Sequence, residues 1–361
     1  MFSNVPAFPL NTMMQSIIRF ALAGIVAVVP SITFAQEASF KDVPKDHFAY
    51  EAVEFLKENS VISGYEDGTF RPGQQVNRAE AIKLIVAPLI QDAQLEQAKA
   101  ATTVYSDIDN NAWYKPYVEI ARVAGIVDGP PTKEKFNGSS PVLKAEFIKM
   151  ILQAFGVDAV GSYKEISLPL SQDVTDTSAW FYPYIRFAVS SSMTMVSDEG
   201  TLQPGKSLTR GETAVMLYRY IMYQQGRRTQ ALLSEAESEI LITLSFLEKK
   251  DLVEAEYASA RALLAARGAN TSRPNEPVVQ GAVKVTEAFR SLVRGYRAGV
   301  NKDYDESIRL SGEAWNLAAR GMELDSSLST ITEQVQAISK EMADAARYAK
   351  ATPQAEASAG Q

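Results

Sequence analysis

The feature that most constrains the fold is an internal repeat. Three four-residue blocks, Asn77-Arg78-Ala79-Glu80, Leu143-Lys144-Ala145-Glu146 and Thr209-Arg210-Gly211-Glu212, recur at intervals of 66 residues. Each follows an apolar residue at the same offset (Phe70, Phe136, Leu202) and a turn cluster: Arg71-Pro72-Gly73, Asn137-Gly138-Ser139 or Gln203-Pro204-Gly205. Each precedes a helical pattern with matching apolar positions: Ile82, Leu84 and Ile85, then Ile148, Met150 and Ile151, then Ala214, Met216 and Leu217. Upstream, every copy opens with an aspartate before an aliphatic residue (Asp42, Asp107, Asp173), then an aromatic (Phe48, Trp113, Trp180). A first helix follows, with Val53 and Leu56 matched by Val118 and Ala121, and by Ile185 and Ala188. Each copy therefore reads as helix, Gly/Pro-bearing loop, helix. Two helices with one apolar stripe each cannot bury those stripes alone, so the copies are expected to pack on one another.

The stretch from Phe40-Lys41-Asp42-Val43 through Gly64-Tyr65-Glu66-Asp67-Gly68-Thr69-Phe70-Arg71-Pro72-Gly73 to Asn77-Arg78-Ala79-Glu80 resembles an S-layer homology (SLH) domain, marked by a Thr-Arg-Ala-Glu-like block. Three copies from about Phe40 to Gln225 cover about half the chain. The match is most specific in the first copy, good in the third and weaker in the second. The resemblance implies a three-pronged, pseudo-threefold helical assembly that binds secondary cell-wall polysaccharide, often through a pyruvylated sugar, in grooves between adjacent copies. The implied partner is that polysaccharide or another peptidoglycan-linked polymer.

The residues of the block also have a reading of their own. Asn77 and Thr209 are good N-cap residues with Glu80 and Glu212 three positions later, a capping-box pattern, whereas Leu143 cannot cap. Arg78 and Arg210 fall at the first helical position, where the macrodipole disfavours a cation, so stability alone does not select them. A guanidinium beside free helix N–H groups would form an anion pocket suited to a carboxylate. Lys144 keeps the charge and loses the fork, which predicts a weaker or more permissive middle site. Asp42, Asp107 and Asp173 fit either hydrogen bonds to sugar hydroxyls or Asx-type caps on the turn into the first helix. Gly64 and Gly68 suit positive φ and close ligand approach, or turn-making alone; the third copy has Val196 in place of Gly64. Arg71, in the turn before the first block, joins the candidate polysaccharide contacts. Trp113 and Trp180 stand where an aromatic either plugs the core or stacks on a sugar. His47, with no clustered partner, reads as structural or solvated rather than as a metal ligand or catalytic base.

The rest of the chain sets the context. A net charge of −7 and pI near 5.1 exclude a basic nucleic-acid-binding face. The absence of cysteine excludes disulfides, thiolate nucleophiles and cysteine metal sites. Residues 1–35 read as a signal peptide: Arg19 flanks the apolar run Phe20 to Val29, and Thr33-Phe34-Ala35 forms a small-x-small cleavage site, with translation starting as well from Met13 or Met14. The run is shorter than the roughly 20 residues of a membrane span, an uncleaved anchor being the alternative. The expected organisation is all-α: repeats over 40–90, 104–157 and 171–225 in a pseudo-threefold bundle, a stack of helical hairpins over 227–350, and a tail over 351–361. In that stack, Lys250-Asp251 and Lys302-Asp303 mark equivalent turns spaced by 52 residues, and the Lys-Asp-Tyr-Asp-Glu-Ser turn resembles those of tetratricopeptide repeats. These features predict an exported wall anchor displaying a helical domain, in a surface layer or elsewhere on the cell surface. The competing readings are an envelope scaffold recruiting other proteins through the helical domain, and a wall-attached hydrolase. No converging acid–base pair is visible, so the expectation is a non-enzyme without catalytic residues, metal or cofactor.

Overall fold

The computed structural model describes residues 38–129 and 133–352. The predicted signal peptide (1–35) and most of the predicted tail (353–361) lie outside them. Among the described residues the protein is all-α, with isolated bridges and no sheet. It divides into two compact units: one contains the three repeats through Gln225, the other Leu168–Ser171 together with the chain from Gly226.

In the repeat unit the first copy supplies α1 (Tyr50–Glu58) and α2 (Arg78–Val86), followed by α3 (Asp92–Ala100). The second supplies α4 (Lys115–Val123) and α5 (Lys144–Ala154), the third α6 (Tyr182–Ser190) and α7 (Arg210–Gln224). The matched positions Val53, Leu56, Val118, Ala121, Ile185 and Ala188 are fully buried, as are Ile82, Ile148 and Ile151 in the second helices. The second helix of each copy packs on the first helix of the next: α2 on α4, α5 on α6, and α7 back on α1. Both capping boxes predicted from the sequence are formed, at Asn77/Glu80 and Thr209/Glu212. In the middle copy only the glutamate half is made, with Leu143 N–H donating to Glu146 Oε2 at 3.2 Å.

The arrangement is closed by backbone hydrogen bonds just before each second helix. Val76 N–H donates to Leu208 O (3.0 Å), Leu208 N–H to Val142 O (3.1 Å) and Val142 N–H to Val76 O (2.9 Å), a ring in which every copy both gives and receives. The first two amides of each second helix have no partner within their own helix. They donate to the turn of the next copy: Arg78 and Ala79 to Ser140 O and Gly138 O, Lys144 and Ala145 to Lys206 O and Pro204 O, Arg210 and Gly211 to Gln74 O and Pro72 O.

The opening aspartates hold those turns in shape. Asp42 accepts from the amides of Phe70 and Arg71, Asp107 from Phe136 and Asn137, Asp173 from Leu202 and Gln203, all at 2.7–2.8 Å. The second residue of each pair has positive φ (Arg71 60°, Asn137 58°, Gln203 51°). The carboxylate offsets the cost of that conformation and directs Phe70, Phe136 or Leu202 into the core. This corrects the expectation that the aspartates cap the turn into the first helix.

Two segments between copies are held by buried cations. Lys115 donates its ammonium to the carbonyls of Lys99 and Ala101, closing the C-terminus of α3, a short polar helix the sequence pattern did not predict. Arg186 is nearly inaccessible and donates to the carbonyls of Ala159, Val160, Ser162 and Ile166, pinning the loop between α5 and α6.

The second unit consists of α8 (Thr229–Glu248), α9 (Leu252–Ser272), α10 (Pro277–Val300), α11 (Tyr304–Leu324) and α12 (Ser329–Ala351). In the turns joining α8 to α9 and α10 to α11, Lys250 and Lys302 adopt positive φ. Asp251 and Asp303 then cap the following helices through the amides of Glu254 and Glu306. The helices of these pairs are 20–24 residues long, so each pair exceeds a tetratricopeptide unit of about 34 residues. Alanines 255, 258, 262, 266 and 269 form the buried face of α9. Gly281 of α10 lies so close to α11 that a Cβ there would stand 3.1 Å from Gly321 O. Arg261 is buried in a bidentate pair with Glu239 and also donates to Leu170 O, which ties residues 168–171 to this unit. None of the described helices is long and apolar enough to cross a membrane.

Replacing Asp107 with Ala leaves the Phe136 and Asn137 amides without their acceptor. The expected outcome is a loss of about 2 kcal/mol in the unfolding free energy of the repeat unit, read from its denaturant midpoint.

Candidate functional site

Each junction between copies, or groove, sets the first residue of a second helix against the next copy. In the third groove, between the third copy and the first, Arg210 Nε donates to Phe70 O at 2.8 Å and Nη2 to Ser63 O at 3.4 Å. Its guanidinium lies 4.6 Å from the Phe70 ring centroid and 5.2 Å from that of Tyr65. A Cβ on Gly211 would stand 3.0 Å from Phe48 Cζ and 3.2 Å from Pro72 O, a tighter fit than an alanine takes without a small shift of its neighbours. In the second groove Lys144 Nζ donates to Leu202 O at 2.8 Å. Burial, reinforced by the neighbouring charge of Lys206, pushes this ammonium down to about 8 from its ordinary 10.5. In the first groove Arg78 lies 5.3 Å from the Phe136 ring centroid, and its Nη1 is 3.3 Å from Glu146 Oε1. Two adjoining hollows of about 270 and 710 Å³ open beside it. Asp128, Lys133 and Glu146 are common to both, and Lys149 and Trp180 line the smaller.

The structure therefore brings Arg78, Lys144 and Arg210 to equivalent places and alters the chemistry expected of them. The helix amides that were to complete an anion pocket are already bonded to the carbonyls of the next copy and are not free to complete it. The carboxylate oxygens of Asp42, Asp107 and Asp173 each accept a backbone amide and serve the turns. Gly64 lacks the positive φ expected of it; Gly68 has it, at 77°. A Cβ on Gly64 would stand 2.1 Å from Phe40 Cε1, so glycine makes room for the core aromatic. The third copy, with Val196 there, has Ser171 in place of that aromatic. Arg71 stacks over Tyr65 at 3.7 Å and pairs with Asp67, whose carboxyl is lowered to about 2, chiefly by hydrogen bonds from Thr69 and then by Arg71.

Trp113 and Trp180 are 53% and 54% exposed, which corrects the reading of them as core plugs. Each forms a shelf beside a lysine of the preceding copy: Lys83 lies 5.5 Å from the Trp113 ring centroid and Lys149 5.9 Å from that of Trp180, with Tyr117 and Tyr184 nearby. Sequence reasoning missed the two lysines, although they share the 66-residue spacing; the corresponding third position is Val215. His47 accepts the Ala49 amide at the start of α1, a local structural role. The described residues hold no cluster of three acidic or histidine side chains able to bind a metal. A cation over an aromatic floor, with exposed rings at the rim, is equipped to hold an acidic sugar: the cation for a carboxylate, the rings for apolar sugar faces.

The family model described as "S-layer homology domain" matches residues 39–82, 104–148 and 173–214, three segments that each span an opening aspartate, a first helix and the first turn of a second. The chain carries three S-layer homology domains. An "S-layer protein" of Bacillus thuringiensis subsp. finitimus is 24% identical over 270 residues, 74% of this chain and 31% of the relative. A "Cellulosome-anchoring protein" of Acetivibrio thermocellus is 30% identical over 113 residues, 31% of this chain and 25% of the relative. "Exoglucanase XynX" of the same species is 25% identical over 191 residues, 52% of this chain and 17% of the relative. The chain thus spans at most about a third of the length of these curated relatives.

Burial disfavours the charged form of Lys144 in the folded state, so folding is penalised below about pH 8 and the penalty is relieved as pH rises toward 10.5. Between those values the unfolded chain binds more protons, and stability should increase with pH. Denaturant midpoints of the wild type should rise across this window relative to Lys144→Met, which should lack that increment.

Proposed function

We propose that the SLH domains attach this protein non-covalently to an acidic cell-wall polysaccharide at the outer surface of an exporting cell, with the helical unit as the displayed part. The observation that carries this reading is the recurrence, at each inter-copy groove, of a half-buried cation against the next copy, with exposed tryptophans in the second and third copies. A cation at such a junction suits a polymer carrying carboxylates, and a pyruvate ketal on a sugar is the form the SLH resemblance suggests. The relatives named as S-layer and cellulosome-anchoring proteins support surface attachment. The relative named as an exoglucanase supports an attachment module that serves whatever it is joined to. In this chain the joined part is the hairpin stack of α8 to α12, which we assign a structural or protein-binding role rather than a catalytic one.

The test is co-sedimentation of the protein with purified cell walls, intact or stripped of non-peptidoglycan polymer. The wild type should pellet with intact walls and remain in solution with stripped ones. Arg78→Ala combined with Arg210→Ala should reduce pelleting by about tenfold or more. Equal pelleting with stripped walls would overturn the polysaccharide assignment.

A further inference from the structure

The first and third grooves both present an arginine but differ in its partner. Each copy carries a capping-box glutamate, and in the first and third copies that glutamate completes the box of its own helix, at Asn77/Glu80 and Thr209/Glu212. Glu146 makes the equivalent bond to the amide of Leu143, but its second oxygen turns to the arginine of the first copy. One of its oxygens accepts the Leu143 amide at 3.2 Å, and the other lies 3.3 Å from Arg78 Nη1. The place beside Arg78 where a ligand carboxylate would bind is therefore filled by a carboxylate of the protein, held there by the start of α5. The neighbouring lysine of the same groove is also matched, with Lys149 Nζ 3.6 Å from Asp128.

The third groove is built otherwise. Arg210 is oriented by two carbonyls and two aromatic rings, and among the described residues no carboxylate lies within ion-pair distance of it. Its Nε and one Nη2 hydrogen are engaged, which leaves Nη1 and the second Nη2 hydrogen as a free fork for a bidentate acceptor. We propose that the third groove receives the acidic group of the wall polymer and that Glu146 excludes such groups from the first groove. This rests on the wall-anchoring reading above and refines it. An anion entering the first groove must displace a fixed partner or lie beside a like charge, whereas Arg210 in the third has no such fixed partner among the described residues.

The full chain is titrated with a methyl hexoside carrying a 4,6-linked pyruvate ketal, by calorimetry, alongside co-sedimentation with intact walls. Arg210→Gln should weaken binding by about tenfold or more, and Arg78→Gln by less than about twofold. Arg210→Lys, which keeps the charge without the fork, should also weaken it. Glu146→Gln keeps an acceptor for the Leu143 amide, so the start of α5 is preserved. It should add a further binding equivalent that Arg78→Gln then removes, a gain that misfolding cannot mimic. Equal losses from Arg78→Gln and Arg210→Gln, or no added equivalent in Glu146→Gln, would overturn the inference. Wall binding without ketal binding by wild type and Glu146→Gln would overturn it while leaving wall anchoring intact. Absence of wall binding by the wild type would overturn both.

Discussion

The repeat unit depends on the ring of hydrogen bonds among Val76, Val142 and Leu208. Each bond contributes only about 1 kcal/mol net, but their cyclic order decides how the copies meet. Once the ring is closed, the first amides of every second helix face the turn of the next copy, and the carbonyls of that turn satisfy them. Helix ends that would otherwise need water or a ligand become joints. The aspartate clasps make this possible, because a turn with a residue at positive φ presents its carbonyls outward only while its amides are held inward by a carboxylate.

The same economy shapes the candidate site. With the helix amides spent on assembly, selectivity passes to the side chain at the first helical position and to what surrounds it. Arginine on carbonyls, lysine partly desolvated against a carbonyl, and arginine beside a glutamate are three different electrostatic settings on one scaffold. A threefold backbone therefore carries three unequal grooves. Lys144, the one departure from arginine among the three, lies in the middle copy, the one that departs furthest from the shared pattern.

Much of this was legible in the sequence because the 66-residue interval aligned the copies. Positions such as Val53, Val118 and Ile185 follow from helical periodicity, and Asn77/Glu80 and Thr209/Glu212 are local signals spanning a single turn. What escaped was long-range. Asp42 reaches the amides of residues 70 and 71, the amide of Arg78 finds a carbonyl 62 residues away at Ser140, and no local pattern encodes either partner. Trp113 and Trp180 precede amphipathic helices, yet they lie before the first packed turn and remain uncovered. The short helix α3 has almost no apolar stripe and depends on Lys115, which belongs to another helix. Gly64 looked like a loop device, and its reason lies in the ring of Phe40.

The central claim is that the three copies form one closed cooperative unit rather than three weakly coupled hairpins. Native-state hydrogen exchange at the amides of Val76, Val142 and Leu208 addresses it directly, because each amide reports the opening of a different junction. The account predicts that all three exchange with one common opening free energy, equal to that for unfolding of the whole repeat unit. A separate, lower opening free energy at any one of them would mean that its junction opens alone, and would contradict the closed ring as the basis of the fold.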